Sequence, residues 1–260
     1  MSPRSKTIST TRRSIYRHPI SLVNRPTHFC PGCGHGTTYK LIAEVLDALD
    51  IRERTIGVAP VGCAVMAYYY FNCDISEAAH GRTPAVATGI KRCLPDRIVF
   101  SYQGDGDLAA IGMAETIHAA NRGENITVVF VNNSVYGMTG GQMAPTTLTG
   151  QKTITTPSGR DTSLAGPPID VCKLINALDS PWHIERVALD SPAGVRRTRK
   201  ALMTAFKGQM EGKGYSLVEI LSPCPVHIHK TPVEALSFLK ERMIPAFPLG
   251  IFRKEGKRLT

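Results

Sequence analysis

Gly104-Asp105-Gly106-Asp107 follows an apolar, β-branched run at 98–102, and Asn132-Asn133 closes a second such run at 126–131. Helical spacing of apolar residues over 108–120 lies between them, so the stretch reads as strand, loop, helix, strand, with both strands buried on two faces. In open parallel sheets, ligands sit beyond the carboxyl ends of the strands, and both polar loops fall there. Glycines let backbone approach a phosphate, and the helix starting near Leu108 can aim free N–H groups at an anion. Asp105 beside a diphosphate requires a cation. Mg²⁺ takes hard oxygens in octahedral geometry and shares them with phosphates, which suits Asp105, the Asn133 amide oxygen and a loop carbonyl. Gly104, Gly106 and Ala109 also satisfy the dinucleotide fingerprint G-x-G-x-x-A. Against that reading, Asp105 would set a carboxylate on the pyrophosphate, and Glu124 precedes the second strand where a ribose-binding acid should end it. An ordinary turn and a strand-ending Asx-turn explain either string alone, but not their joint placement.

Outward from this unit the alternation continues. Helices are predicted at 37–49, 170–178, 193–210 and 232–243, and strands at 55–59, 183–188 and 216–221. The fold class is α/β, a mostly parallel sheet covered by helices on both faces. The loop at 136–168, rich in Gly, Thr and Pro, is long enough to expect a binding or partner-contact role. At 260 residues and 42% hydrophobic, the chain suits one large domain at 28–250, between a basic N-terminal arm at 1–27 and a basic tail at 251–260 read as a solvated terminus. The first acid is Glu44, preceded by Arg4, Lys6, Arg12, Arg13, Arg17, Arg25 and Lys40. That arm suits a partner subunit, and its composition also resembles a transit peptide.

The net charge of +10 favours acidic partners, electron-carrier proteins among them. Aromatics are not interleaved with Lys and Arg, which argues against nucleic acid, and no run reaches the roughly 18 apolar residues of a membrane span. Seven cysteines, an odd number, with no secretory signal ahead of them suggest reduced cytoplasmic thiols or metal ligands. Cys30-Pro31-Gly32-Cys33 stands at the entrance of the first helix, Cys63 in the Pro60-Val61-Gly62-Cys63 turn, and Cys224 in Ser222-Pro223-Cys224-Pro225. Four thiolates in Pro- and Gly-fixed loops suit a 4Fe-4S cluster. A zinc site using the close pair, with His227 and His229 following Cys224, is the alternative. Cys73, Cys93 and Cys172 read as buried small hydrophobes.

The spacing from Gly104-Asp105-Gly106 to Asn132-Asn133 is similar to the thiamine-diphosphate motif. That likeness implies Mg²⁺ held by Asp105, Asn133 and the carbonyl of Val135. The fuller strings Cys30-Pro31-Gly32-Cys33-Gly34-His35-Gly36, His80-Gly81-Arg82, Gly104-Asp105-Gly106-Asp107-Leu108-Ala109 and Tyr136-Gly137-Met138-Thr139-Gly140-Gly141-Gln142 resemble the beta subunit of 2-oxoacid:ferredoxin oxidoreductases, from about His28 to Gly250. The resemblance implies a thiamine-diphosphate-binding fold and oxidative decarboxylation of a 2-oxo acid to acyl-CoA and CO₂, with electrons passing through the cluster to ferredoxin. It points to Cys30, Cys33, Cys63 and Cys224 as cluster ligands. Gly62, Gly104, Asp105, Gly106, Asp107, Asn133, Gly137, Met138 and Thr139 are implied to bind cofactor, with Gly140, Gly141 and Gln142 nearby. His80 and Arg82 are candidate catalytic residues, the first to hydrogen-bond a carbonyl oxygen, the second to clamp an anion. The glutamate that such cofactors need is expected from an alpha subunit, since Glu44 reads as solvated; gamma and delta subunits are further expected partners, beside coenzyme A and the 2-oxo acid. The apolar stretch Ala64 to Phe71 carries no cation, which favours a branched-chain 2-oxo acid over 2-oxoglutarate, unless these residues are plain core.

Overall fold

A computed structural model describes residues 16–259; residues 1–15 of the basic arm lie outside them. In chain order the elements are α1 (His35–Ala48), β1 (Thr55–Ala59), β2 (Asp74–Glu77), α2 (Thr83–Cys93), β3 (Ile98–Gly104), α3 (Met113–Asn121), β4 (Thr127–Asn132), β5 (Val135–Tyr136), β6 (Gln142–Met143), α4 (Thr162–Ala165), α5 (Val171–Asn176), β7 (His183–Ala188), α6 (Pro192–Met210), β8 (Ser216–Leu221), α7 (Pro232–Phe238), α8 (Ile244–Ala246), β9 (Gly250–Lys254) and β10 (Lys257–Arg258). Eight strands form one sheet in the order β10-β9-β7-β8-β4-β3-β1-β2, parallel except at the β9-β10 edge. The small β5-β6 hairpin stands apart.

Period-2 burial of the central strands splits the apolar core in two. Val129, Val131, Val218 and Ile220 face α1 and α6, while Val128, Phe130, Leu217 and Ile184 face the side of α2, α3 and α5. The order β8-β4-β3-β1 has a direct consequence for function. These four neighbours run in one direction, so the segments leaving their carboxyl ends share one rim: Ser222 to Cys224 after β8, Asn133 after β4, Asp105 after β3 and Pro60 to Cys63 after β1.

Two expectations are corrected. The helix expected over 108–120 starts earlier as a wide π turn (Gly106–Ile111), in which Gly112 N donates to Asp107 O at 2.8 Å, before α3 begins. The basic tail is not a solvated terminus: β9 pairs antiparallel with β7, and Arg253 is buried, donating to the carbonyls of Asn176, Leu178 and Asp179. The end of the arm also docks, with Ile20 N and Ser21 N on the Asp47 carboxylate and Val23 N on Tyr70 O. Among the described residues no helix is long and apolar enough to cross a membrane.

Candidate functional site

Two cavities open on the rim. One is lined by Pro60 to Ala64, His80, Gly104 to Asp107, Asn133 and Val135 to Thr139, with His35 behind. The other is lined by Cys30, Cys33, Cys63 and Cys224, with His28, Phe29, Pro225 to His227 and again His35. His35, Cys63, Asn133, Gly137 and Met138 line both, so one thin wall divides them.

Local sequence explains the first cavity. Asn132 and Asn133 form successive Asx turns: Asn132 Oδ1 accepts from Ser134 N at 3.1 Å, and Asn133 Oδ1 from Val135 N at 3.3 Å. Ser134 is thereby held at φ 63°, unusual for a residue with a Cβ. Asn132 Nδ2 donates to the buried Glu219 at 2.8 Å, and Glu219 is paired with the buried Arg186 at 2.8 Å. Asp105 is 2% exposed; it accepts from Thr146 Oγ1 at 2.8 Å, with the N–H groups of Asn133 and Ser134 aimed at it. Burial outweighs these donors and pushes its carboxyl up to about 7. A divalent cation beside it would favour the charged form of this buried carboxyl.

Asp107 ties the cavity's loops together. It accepts from Gln103 Nε2 at 2.7 Å, Gly81 N at 3.0 Å and Val61 N at 3.2 Å, and its Oδ2 lies 2.8 Å from His80 Nδ1. Gly106 is required by close approach, since a Cβ there would stand 2.2 Å from the Tyr136 ring. Gly62 and Gly104 differ: nothing lies within 4 Å of where their Cβ atoms would be, which leaves open space at the cavity wall. That space, the oxygens of Asp105, Asn133 and Val135, and the glycine backbone fit a cation-bound diphosphate.

The sequence-predicted residues divide. His80, Gly62, Gly104, Asp105, Gly106, Asp107, Asn133, Val135, Gly137, Met138 and Thr139 are brought together. Arg82 is not: it lies outside the cavity lining, at the N-cap of α2, ion-paired with Glu115. Glu44 lies on α1, 3.3 Å from Arg199. Of the Ala64 to Phe71 stretch, only Ala64 lines the first cavity. Ala64, Ala67, Tyr70 and Phe71 pack into the core, and Tyr68 and Tyr69 face outward. Gln142 binds Thr139 through two hydrogen bonds beside the cavity.

In the second cavity burial raises the Cys33 thiol to about 12 and that of Cys63 to about 11, and raises Cys224 as well. Backbone N–H groups of His35 and His227 aim at Cys33 and Cys224. His28 Nε2 donates to Cys63 O at 2.8 Å. Among the described residues no three His, Cys, Asp or Glu side chains converge closely enough for a single ion, whereas four thiols around one cavity fit a cluster. Cys172 is buried core as expected and Cys73 partly buried, but Cys93 is exposed. Sequence reasoning did not assign His35, His28 or Thr146. The first two flank the cysteine pair and could have been suspected; Thr146 carries no signal.

Residues 60–220 match the family described as thiamine pyrophosphate enzyme, C-terminal TPP binding domain. The chain is 56% identical over 227 residues to the ketoisovalerate oxidoreductase subunit VorA of Methanothermobacter thermautotrophicus, covering 87% of this chain and 48% of that protein. It thus spans about half the length of that relative. It is 36% identical to the 2-oxoglutarate synthase subunit KorB of Methanocaldococcus jannaschii, covering 84% of this chain and 79% of the other. Among solved structures, a 2-oxoglutarate:ferredoxin oxidoreductase from Magnetococcus marinus, with 2-oxoglutarate, coenzyme A and succinyl-CoA bound, superimposes with a TM-score of 0.73 at 25% identity, covering 94% of this chain and 87% of that one.

Proposed function

The chain belongs to the thiamine-diphosphate-binding subunits of the 2-oxoacid:ferredoxin oxidoreductases, and from that membership we propose that it forms half of an active site that oxidatively decarboxylates a branched 2-oxo acid. The overall reaction would convert 2-oxo acid and coenzyme A to acyl-CoA and CO₂ while two electrons leave, one at a time, to ferredoxin. Thiamine diphosphate supplies, when bound, the carbon nucleophile and electron sink that this decarboxylation needs.

The chain's own residues have the following roles. Asp105, the Asn133 amide oxygen and the Val135 carbonyl hold Mg²⁺, and the backbone at Gly62, Gly104 and Gly106 accepts the diphosphate. The His80 ring, whose Nδ1 lies 2.8 Å from Asp107 Oδ2, donates to a carbonyl oxygen from the cavity side. Gly137, Met138 and Thr139 close the cavity wall. Cys30, Cys33, Cys63 and Cys224 ligate a 4Fe-4S cluster. The cavity lining contains two aspartates and no glutamate among the described residues, so the glutamate that activates the cofactor would come from an alpha subunit. Branched-chain preference rests on the likeness to a ketoisovalerate enzyme subunit and no longer on the Ala64 to Phe71 stretch.

The observation that carries this reading is the wall shared by the two cavities, which would make cofactor and cluster neighbours. The test is anaerobic co-expression with the alpha partner, followed by coenzyme A-dependent dye reduction with pyruvate, 2-oxoglutarate, 2-oxoisovalerate and an aryl 2-oxo acid. Fastest turnover with 2-oxoisovalerate is expected. A preference for 2-oxoglutarate would overturn the substrate assignment, and inactivity of a complex holding both cofactor and cluster would reduce the chain to an electron-transfer module.

A further inference from the structure

Gly137 stands in the wall between the two cavities. A Cβ at this position would lie 3.2 Å from Cys63 Sγ, 3.9 Å from Cys224 Sγ and 3.9 Å from Asn133 Nδ2. One glycine therefore borders two thiols of the cysteine nest and the amide of the cation seat. Its carbonyl is also engaged, accepting from His227 Nε2 at 2.6 Å.

His227 belongs to the cysteine side. It lies three residues past Cys224, on a turn closed by Ile228 N to Cys224 O at 3.2 Å and Lys230 N to Pro225 O at 3.0 Å. Its ring reaches across to the loop that follows Val135, touching both ends of a short turn. Besides the bond to Gly137 O, its Nδ1 would be 2.5 Å from a Cβ at Gly141, which adopts φ +87° and donates from N to Tyr136 O at 2.8 Å. The loop after β8, which carries Cys224, and the loop after β4, which carries Asn133 and Val135, are thus joined by one side chain.

We propose that His227 and Gly137 are positioning residues that fix the separation between the cysteine nest and the cation-diphosphate seat, so that a displacement at either loop is felt at both. This rests on the reading above that the two cavities hold cluster and cofactor. The bond fixes Gly137 O from the nest side, and the missing side chain lets the seat's backbone lie against Cys63. Any substituent on Gly137 must displace Cys63, and loss of the His227 donor frees the 137–141 turn while leaving a partly buried carbonyl unpaired.

The test uses the assembled complex with His227→Ala, His227→Gln and Gly137→Ala. Gly137 is not among the positive-φ glycines, so alanine fits its backbone. The unsubstituted complex is measured first for visible iron-sulfur absorption and Mg²⁺-dependent thiamine diphosphate binding; absence of either defeats the functional reading itself, not merely this inference. Given both, His227→Ala is expected to keep its iron, to weaken cofactor binding roughly five- to tenfold, as one lost hydrogen bond would, and to shift the cluster's reduction potential together with it. His227→Gln, which keeps an N–H donor, restores most of both losses, and Gly137→Ala, which removes no hydrogen bond, also moves both readouts. The proposal is overturned if one readout moves without the other, if neither moves, or if Gly137→Ala leaves both unchanged while His227→Ala simply loses the cluster, which would make His227 a support of its own turn.

Discussion

The cation seat and the cysteine nest share a wall but are built in opposite ways. In the seat, the donors around Asp105 are already aimed: Thr146 at Asp105, the N–H groups of Asn133 and Ser134 at the same carboxylate, and two Asx turns fixing the loop. The price is electrostatic, a carboxyl buried without a counter-charge and therefore pushed up to about 7. In the nest, burial raises the thiols of Cys33, Cys63 and Cys224 and keeps them neutral, while Cys30 remains exposed. A neutral thiol costs little to bury, but a metal needs the thiolate, so binding must release protons. The seat's polar groups are therefore set by the fold itself, whereas the nest's thiols would have to shed protons to ligate a metal.

The largest expected effect lies in the nest. Cys33→Ala, Cys63→Ala or Cys224→Ala should abolish the visible absorption and bound iron of the anaerobically assembled complex, while Cys73→Ala and Cys93→Ala leave both intact. Retained absorption in any of the first three would remove that residue from the ligand set.

The seat should respond in a graded way. Asp105→Asn is expected to weaken Mg²⁺-dependent cofactor binding at least about a hundredfold, read by titration, because metal sites commonly lose 10- to 100-fold even for changes one shell further out. The cofactor-free chain should behave in the opposite sense. A carboxyl whose folded pKa exceeds its unfolded value contributes stability that is present below about pH 4 and lost as pH rises through about 7. This group alone then costs on the order of 3 to 4 kcal/mol at pH 8 relative to pH 4. Melting curves of the cofactor-free protein should show Asp105→Asn raising stability at pH 8 and not at pH 4, and the stabilisation gained from Mg²⁺ with thiamine diphosphate should grow with pH more steeply when Asp105 is present than in Asp105→Asn. The same pH dependence in both proteins would mean that Asp105 does not bind the cation.

How much of this was legible depended on whether function was written locally. Strands β1, β7 and β8 were readable because short β-branched runs end in Pro, Gly or Asp, and the two loops of the seat were readable because each follows such a run. Helix α2 and strand β2 were not: Asp74–Glu77 alternates charge with one apolar residue, and the first turn of α2 is Thr, Pro, Ala and Val with no long apolar stripe. Strand β9 was hidden because its inward residue is Arg253, whose charge is met by helix-end carbonyls rather than by an acid. Thr146 lies 41 residues beyond Asp105 and is brought there by the organised loop at 136–168. That loop is held by Arg160, which is 4% exposed and donates to six carbonyls, three on Ala144, Pro145 and Thr147 and three on Ala165, Gly166 and Pro167. No sequence pattern announces a cation whose partners are all backbone. Arg160→Met should accordingly destabilise the chain by about 2 to 4 kcal/mol in thermal or denaturant unfolding and weaken cofactor binding, with the cysteine nest unaffected.

The smallest effect is expected at Arg82, which the sequence set beside His80 as a catalytic candidate. Two residues apart, they face different surroundings. His80 lines the cavity and touches Asp107, which is itself held by β3 and two loops, while the Arg82 side chain is 49% exposed and pairs with Glu115 on α3. An exposed ion pair contributes about 0 to 1 kcal/mol, because water screens it and two long side chains must be ordered to form it. Arg82→Ala should therefore leave turnover within about twofold and shift stability by less than about 1 kcal/mol. His80→Ala should slow turnover by about a hundredfold or more if its ring meets a reacting oxygen. Equal losses from the two substitutions would break the contrast between a preformed seat and its surroundings, because an anionic portion of a substrate would then have to extend past the cavity wall to the start of α2.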